Sequence, residues 1–149
     1  MEQLTSQLGS RVYLDTNIVI YSVEGYTTHA TRIKSLLRTM TEGKIKVMTS
    51  DLTLAEVLVK PKRDRNTKLA DAYRHFLQPT DVLLNCPITR EILEAAAGIR
   101  ATSVLKLPDA IHFASAINHK CDSFLTNDDR FESVPGVKVV MLSQLTVIE

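Results

Sequence analysis

Apolar residues fall along this chain in two rhythms, and the rhythms take turns. The run Val12-Tyr13-Leu14 is cut by Asp15-Thr16-Asn17 and resumes as Ile18-Val19-Ile20-Tyr21, which predicts a strand, a polar turn and a helix. Between Thr28 and Glu42 the residues Ala30, Ile33, Leu36, Leu37 and Met40 recur every three or four positions. That is the period of one helical face, and Gly43 stands where a C-terminal cap belongs. Ile45 to Thr49 predicts a second strand. Ser50 or Asp51 then caps a helix through Leu52, Leu54, Ala55, Leu58 and Val59, expected to stop before Pro61. The same alternation continues with a helix from Asn66 to Gln78, a strand at Val82-Leu83-Leu84, and a helix from Thr89 to Ser103. Pro108 opens a further helix, because its missing N–H costs nothing in a first turn. Ser123 to Thr126 and Val137 to Met141 complete the strands, with Pro135-Gly136 as a turn between them.

Strands alternating with helices through short connections predict a parallel sheet with helices on both faces. No repeat or linker interrupts the pattern, and 149 residues suit one domain, residues 1–149. Hydrophobic residues at 44% and charged residues at 23% are ordinary for a globular chain. A net charge of +1 means that any nucleic acid must be held by a local basic patch. Cys86 and Cys121 lie in no ligand spacing and read as reduced core thiols. The polar start and the lack of a long apolar segment point to a cytoplasmic protein without a membrane span.

In parallel sheets of this kind, ligands sit outside the carboxyl ends of the strands. Asp15 closes the first strand and Asp128 follows the fourth. Asp109 stands in the first turn of the helix opened by Pro108, where the free N–H groups favour a carboxylate. Glu56 interrupts an otherwise apolar helix. Taken singly, Asp15 reads as a cap, Asp109 as a dipole partner, Asp128 as a loop acid and Glu56 as an outward helix position. Taken together, four carboxylates from different elements would repel one another unless a hard divalent cation joined them. The chemistry that follows is phosphodiester hydrolysis by an activated water.

These segments also resemble the PIN-domain nucleases, in particular the VapC-like toxins of toxin–antitoxin pairs. The resemblance is carried by Asp15-Thr16-Asn17, by Thr53-Leu54-Ala55-Glu56-Val57, by Lys106-Leu107-Pro108-Asp109-Ala110-Ile111-His112, and by Phe124-Leu125-Thr126-Asn127-Asp128-Asp129-Arg130-Phe131. It implies a three-layer α/β/α sandwich around a parallel sheet of four to five strands. It further implies endonucleolytic cleavage of RNA with Mg²⁺ or Mn²⁺, Asp15, Glu56, Asp109 and Asp128 being the catalytic and metal-binding acids. Asn17 and Thr126 fall where the family supports its site. A small antitoxin protein is the expected partner, and a homodimer the expected assembly.

The basic run Lys60, Lys62, Arg63 and Arg65 could hold RNA phosphates without reading bases, or form a solvated turn around Pro61. His112, one turn from Asp109, reads as a structural hydrogen-bonding residue. With no Trp, four Tyr and four Phe, base stacking is not expected to dominate binding. Three alternatives stand beside the toxin: a housekeeping PIN-type nuclease of RNA processing, an aspartate-based phosphotransfer or receiver protein, and a non-catalytic binding module.

Overall fold

The computed structural model describes residues 2–147. Its five strands are β1 (Arg11–Leu14), β2 (Lys46–Ser50), β3 (Leu83–Cys86), β4 (Ser123–Thr126) and β5 (Lys138–Met141). They form one sheet in the order β3-β2-β1-β4-β5, and every neighbouring pair is parallel. The chain therefore winds outward from β1 in one direction through β2 and β3, then in the other through β4 and β5. The reversal leaves a crevice at the carboxyl ends of β1 and β4, the place where such sheets take their ligands.

Seven helices cover the sheet: α1 (Glu2–Leu8), α2 (Thr16–Glu24), α3 (Ala30–Thr41), α4 (Asp51–Arg63), α5 (Thr67–Phe76), α6 (Arg90–Thr102) and α7 (Leu107–Asn118). Strand alternation assigns the faces. Val12 and Leu14 of β1, with Leu125 of β4, pack with Ile18, Ile33, Leu36 and Tyr73 from α2, α3 and α5. Tyr13 and Phe124 point the other way, into a cluster with Phe113 of α7 and Phe131. Behind α7, Ile92 and Ala96 of α6 meet Ala110 and Ala114, small residues that let the two helices approach closely. This is the three-layer α/β/α arrangement expected.

Local chemistry fixes most boundaries. The Ser50 hydroxyl, not Asp51, caps α4 by accepting from Leu52 N at 3.0 Å, and Thr89 and Asn66 cap α6 and α5 in the same way. Gly43 adopts φ +72° just past α3, as a helix C-terminus requires. One expectation is corrected. Helix α4 does not stop before Pro61 but runs to Arg63, with Pro61 inside it and buried. An interior proline costs about 3 kcal/mol, and here its ring packs into the protein while Asn66 N and Asp64 N close the final turn on the carbonyls of Pro61 and Lys60. The polar start, to which the spacing assigned no element, forms α1 and buries Leu4 and Leu8. Cys86 and Cys121 are unpaired and buried, and burial pushes their thiols up to about 11 and about 12. Among the described residues no helix is long and apolar enough to cross a membrane.

Helix α1 is tied to the sheet by one turn. Gly9 takes φ +78°, and a Cβ there would lie 2.6 Å from Asp122 Cβ. The closeness lets Asp122 Oδ2 accept from Ser10 N and Arg11 N, both at 2.9 Å, and these backbone donors hold its carboxyl below the usual aspartate range. Gly9→Ala is accordingly expected to destabilise the protein by upwards of about 1 kcal/mol, through both the positive φ and the clash. Urea denaturation with an unshifted midpoint would refute the tie.

Candidate functional site

Asp15 is the last residue before α2 and serves as its N-cap, with extended backbone and Oδ1 accepting from Thr16 N at 2.9 Å. The predicted polar turn is therefore absent; strand passes to helix through this one residue. Alternation along β1 places Asp15 on the same face as Tyr13, and along β4 it places Thr126 beside Phe124. The two polar residues thus meet over the aromatic floor. Thr126 Oγ1 donates to Asp15 Oδ2 at 2.7 Å, and Asn17 Nδ2 donates to the same oxygen at 3.2 Å. Asp15 is only 5% exposed. Burial raises its carboxyl above the ordinary aspartate value, against the pull of His112, Thr126 and Thr16, and nearby Asp109 adds to the rise.

The remaining acids join this centre through shared partners. Thr16 Oγ1 donates to Glu56 Oε1 at 2.8 Å, and His112 Nε2 donates to the same oxygen at 2.6 Å. Burial works upward on Glu56, but the His112 and Thr16 contacts outweigh it and hold the carboxyl below its usual range. On the other side, Thr126 Oγ1 accepts from Asp128 N at 3.0 Å, and Asn17 Oδ1 accepts from Asn127 N at 3.2 Å. Arg130 then links two acids: its Nε donates to Asp128 Oδ1 and Oδ2 at 3.0 and 3.1 Å, and its Nη2 to Asp109 Oδ2 at 3.0 Å. The side-chain hydrogen bonds from Arg130 hold the Asp128 carboxyl below the usual range. Glu56, Asp15, Asp128 and Asp109 therefore belong to one continuous polar network. Asp129, by contrast, is exposed, while Asp128 N bonds back to Thr126.

An aromatic stack carries the network from below. Tyr13 lies on Phe124 at 5.2 Å and 6°, while Phe113 and Phe131 close on Phe124 at 5.2 and 4.6 Å. Phe131 anchors the loop that bears Asp128 and Arg130. The Tyr13 hydroxyl reaches up to His112 Nδ1 at 2.7 Å, so His112, buried at 1% exposure, is engaged at both ring nitrogens, in the hydrogen-bonding role its position suggested. Glu56 itself is not embedded among apolar neighbours. Leu54 and Val59 of α4 are 41% and 53% exposed, and the Glu56 side chain is 34% exposed.

Lys60, Lys62, Arg63 and Arg65 are exposed and do not enter the acid network. Lys60 and Arg63 follow Glu56 by four and seven residues and share its helical face, a stripe leading away from the acids; Arg65 lies past the helix with φ +53°. Sequence reasoning missed Tyr13, Thr16 and Arg130. Arg130 carried a usable signal: it stands two residues after an acid in a turn, the spacing at which an aspartate side chain accepts from a backbone N–H, and its N donates to Asp128 Oδ1 at 3.0 Å.

The donor set suits a hard divalent cation. It is all carboxylate and hydroxyl oxygen, Asp15 is buried among it, and a positive group already lies between Asp109 and Asp128. Among the described residues no three His, Cys, Asp or Glu side chains converge at metal-binding distance; Asp109 and Asp128 face Arg130 instead, and Glu56 faces His112.

The raised carboxyl of Asp15 has a thermodynamic sign. Folding carries no penalty from it below the ordinary aspartate value of about 3.9, and a growing one as pH climbs through the raised value, where the folded state resists ionisation. Asparagine caps a helix as well as aspartate does. Metal-free Asp15→Asn is expected to melt at or above the wild-type temperature at pH 7, with the gap closing below about pH 4. Calorimetry showing a lower melting point at pH 7 would contradict this.

The PIN domain family model matches residues 12–137, which takes in all four acids. No curated protein matches the chain significantly. Among solved structures, VapBC2 from Rickettsia felis, bound to a DNA fragment from its promoter, superposes with a TM-score of 0.70 at 16% identity, over 88% of this chain and 98% of that one. A toxin–antitoxin complex from Klebsiella pneumoniae gives 0.63 at 27% identity, covering 85% and 94%. VapC20 from Mycobacterium tuberculosis, described as a sarcin–ricin loop cleaving toxin, gives 0.60 at 19% identity, covering 76% and 86%. With the match spanning most of its length and the acids gathered at the sheet's switch point, the chain belongs to the PIN domain family.

Proposed function

We propose that this protein is a divalent-metal-dependent endoribonuclease and the toxin of a toxin–antitoxin pair. The observation that carries the proposal is Asp15: a carboxylate held away from water at the β1/β4 crevice, in one hydrogen-bonded network with Asp109, Asp128 and Glu56. Asp15 and Asp109 would hold the ion, Mg²⁺ or Mn²⁺, with Asp128 and Glu56 beside them. When bound, such a cation polarises a phosphodiester and eases the deprotonation of water.

The chain's own residues supply orientation. Thr126, Asn17 and Thr16 N fix the direction of the Asp15 oxygens, while His112 and Thr16 fix Glu56. Glu56 is reachable from solvent and held ionised, which suits it to orient water at the crevice as a hydrogen-bond acceptor. Lys60 and Arg63, on the same helical face, would meet the substrate's phosphates and leave base identity to RNA shape. The similar toxin described as cleaving the sarcin–ricin loop favours RNA as substrate, and the toxin–antitoxin complexes among the similar structures favour a small antitoxin partner. Exposed Leu54, Val59 and Leu93 offer apolar surface to a second copy.

Asp109→Asn is expected to abolish RNA cleavage while circular dichroism stays native, and Asn17→Ala to lower it by about 10–100-fold, the usual cost of losing a supporting residue. Excess EDTA should stop cleavage and added Mn²⁺ restore it; full activity in EDTA would end the proposal. Expression should arrest growth, with rescue by a small co-encoded protein. Harmless expression of an active enzyme would favour the housekeeping nuclease instead.

A further inference from the structure

Among the described residues Arg130 is the guanidinium bonded to the acid network, and it is bonded to two of its members at once. Its guanidinium meets both oxygens of Asp128 and one of Asp109, and its backbone N–H adds a further contact, to Asp128 Oδ1. Asp109 comes from the start of α7 and Asp128 from the loop after β4, so the arginine reaches back to a carboxylate 21 residues before it in sequence. The oxygens it covers are those a divalent ion would need. Each N–H bond occupies one of an oxygen's lone-pair directions, and the guanidinium's positive charge opposes a second cation on the same two carboxylates.

We propose that Arg130 is an internal counter-cation that competes with the divalent ion for Asp109 and Asp128, and so sets how tightly the site binds metal. The inference rests on the metal-dependent reading above. In the metal-free chain Arg130 offsets the repulsion between the two acids and keeps them near the crevice; metal entry exchanges one cation for the other.

The surroundings permit that exchange. The Arg130 side chain is 39% exposed and those of Asp109 and Asp128 are 22% exposed, so the pair is near the surface, where water screens it and it can open. The guanidinium also has somewhere to go. Its side chain already lines a cavity of about 410 Å³ between α6, α7 and the segment after β4, whose walls include Phe113 and Glu132. Glu132 offers a replacement carboxylate. Phe131 is packed in the aromatic cluster, so the backbone of the loop can stay in place while the side chain turns.

Competition of this kind has a calculable effect. If the arginine covers the acids about nine-tenths of the time, the apparent metal dissociation constant is about tenfold above the intrinsic one. Removing the guanidinium should therefore tighten metal binding, the opposite of what losing a ligand or an orienting residue does. Lysine keeps the charge but cannot fork across two carboxylates, so it should relieve the competition in part.

The test is calorimetric titration of Mn²⁺ into the full chain without RNA, for wild type, Arg130→Gln and Arg130→Lys, with Asp15→Asn as the control that locates the ion. The proposal expects Arg130→Gln to bind Mn²⁺ about tenfold more tightly, Arg130→Lys to fall between it and wild type, and Asp15→Asn to bind weakly or not at all. The metal-free Arg130→Gln chain should melt below wild type and gain more in melting temperature from Mn²⁺. Equal or weaker binding in the Arg130 variants overturns the proposal while leaving the nuclease reading intact. Should Arg130→Gln fail to fold, Arg130→Lys decides alone, and no tightening in it overturns the proposal. Wild type that binds no Mn²⁺, or Asp15→Asn that binds it unchanged, removes the metal-site reading and this inference together.

Discussion

A carboxylate with 5% exposure is the constraint to which the rest of this molecule answers. Removing a carboxyl group from water is costly unless hydrogen bonds replace the solvent, and Asp15 receives them from the elements on either side of it. A hydroxyl comes from the end of β4, an amide N–H from the first turn of α2, and a side-chain amide from Asn17. The two donors from α2 follow Asp15 directly in the chain, while the Thr126 hydroxyl depends on the sheet order that sets β1 beside β4. The reversal in strand order is thus the condition under which the acid can be buried and still face a crevice.

Beneath the acids, the aromatic stack converts strand pairing into side-chain position. Tyr13 and Phe124 are partners in the β1/β4 register and stack nearly parallel, which fixes Asp15 and Thr126 two residues further along. The same tyrosine reaches His112, and His112 reaches Glu56 on α4. A packing feature of the core is in this way continuous with the orientation of a solvent-facing carboxylate. Such a site is held by rigid elements, with only the Asp128–Arg130 segment supplied by a loop, and that loop is pinned by Phe131.

Much of this was legible in the residues. The strand and helix order follows from the two periods of apolar spacing, and the five strands emerge within about two residues of their predicted places. Asp15, Asp109 and Asp128 were legible because each stands at a boundary that local chemistry marks: a strand end, a Pro-opened helix, a loop after an apolar run. Glu56 was found for a reason the fold does not support, since its apolar neighbours Leu54 and Val59 face outward; its placement rests on Thr16 and His112 instead. Helix α1 was not legible because seven residues with two buried leucines carry too little periodicity, and its anchor, Asp122, lies more than a hundred positions away. The continuation of α4 through Pro61 reflects tertiary packing overriding a local penalty. Arg130 was passed over because a surface arginine ordinarily means solvation, and only the fold brings Asp109 to it.

The two cysteines, finally, give the sheet a pair of internal clocks. Cys86 ends the edge strand β3, and Cys121 sits just before the interior strand β4. With their thiols pushed up to about 11 and about 12 by burial, neither offers thiolate to an electrophile at neutral pH while the fold is closed. Any alkylation of the native chain must then pass through an opening that bares one of them, so the two modification rates separate fraying of the sheet's margin from disruption of its middle.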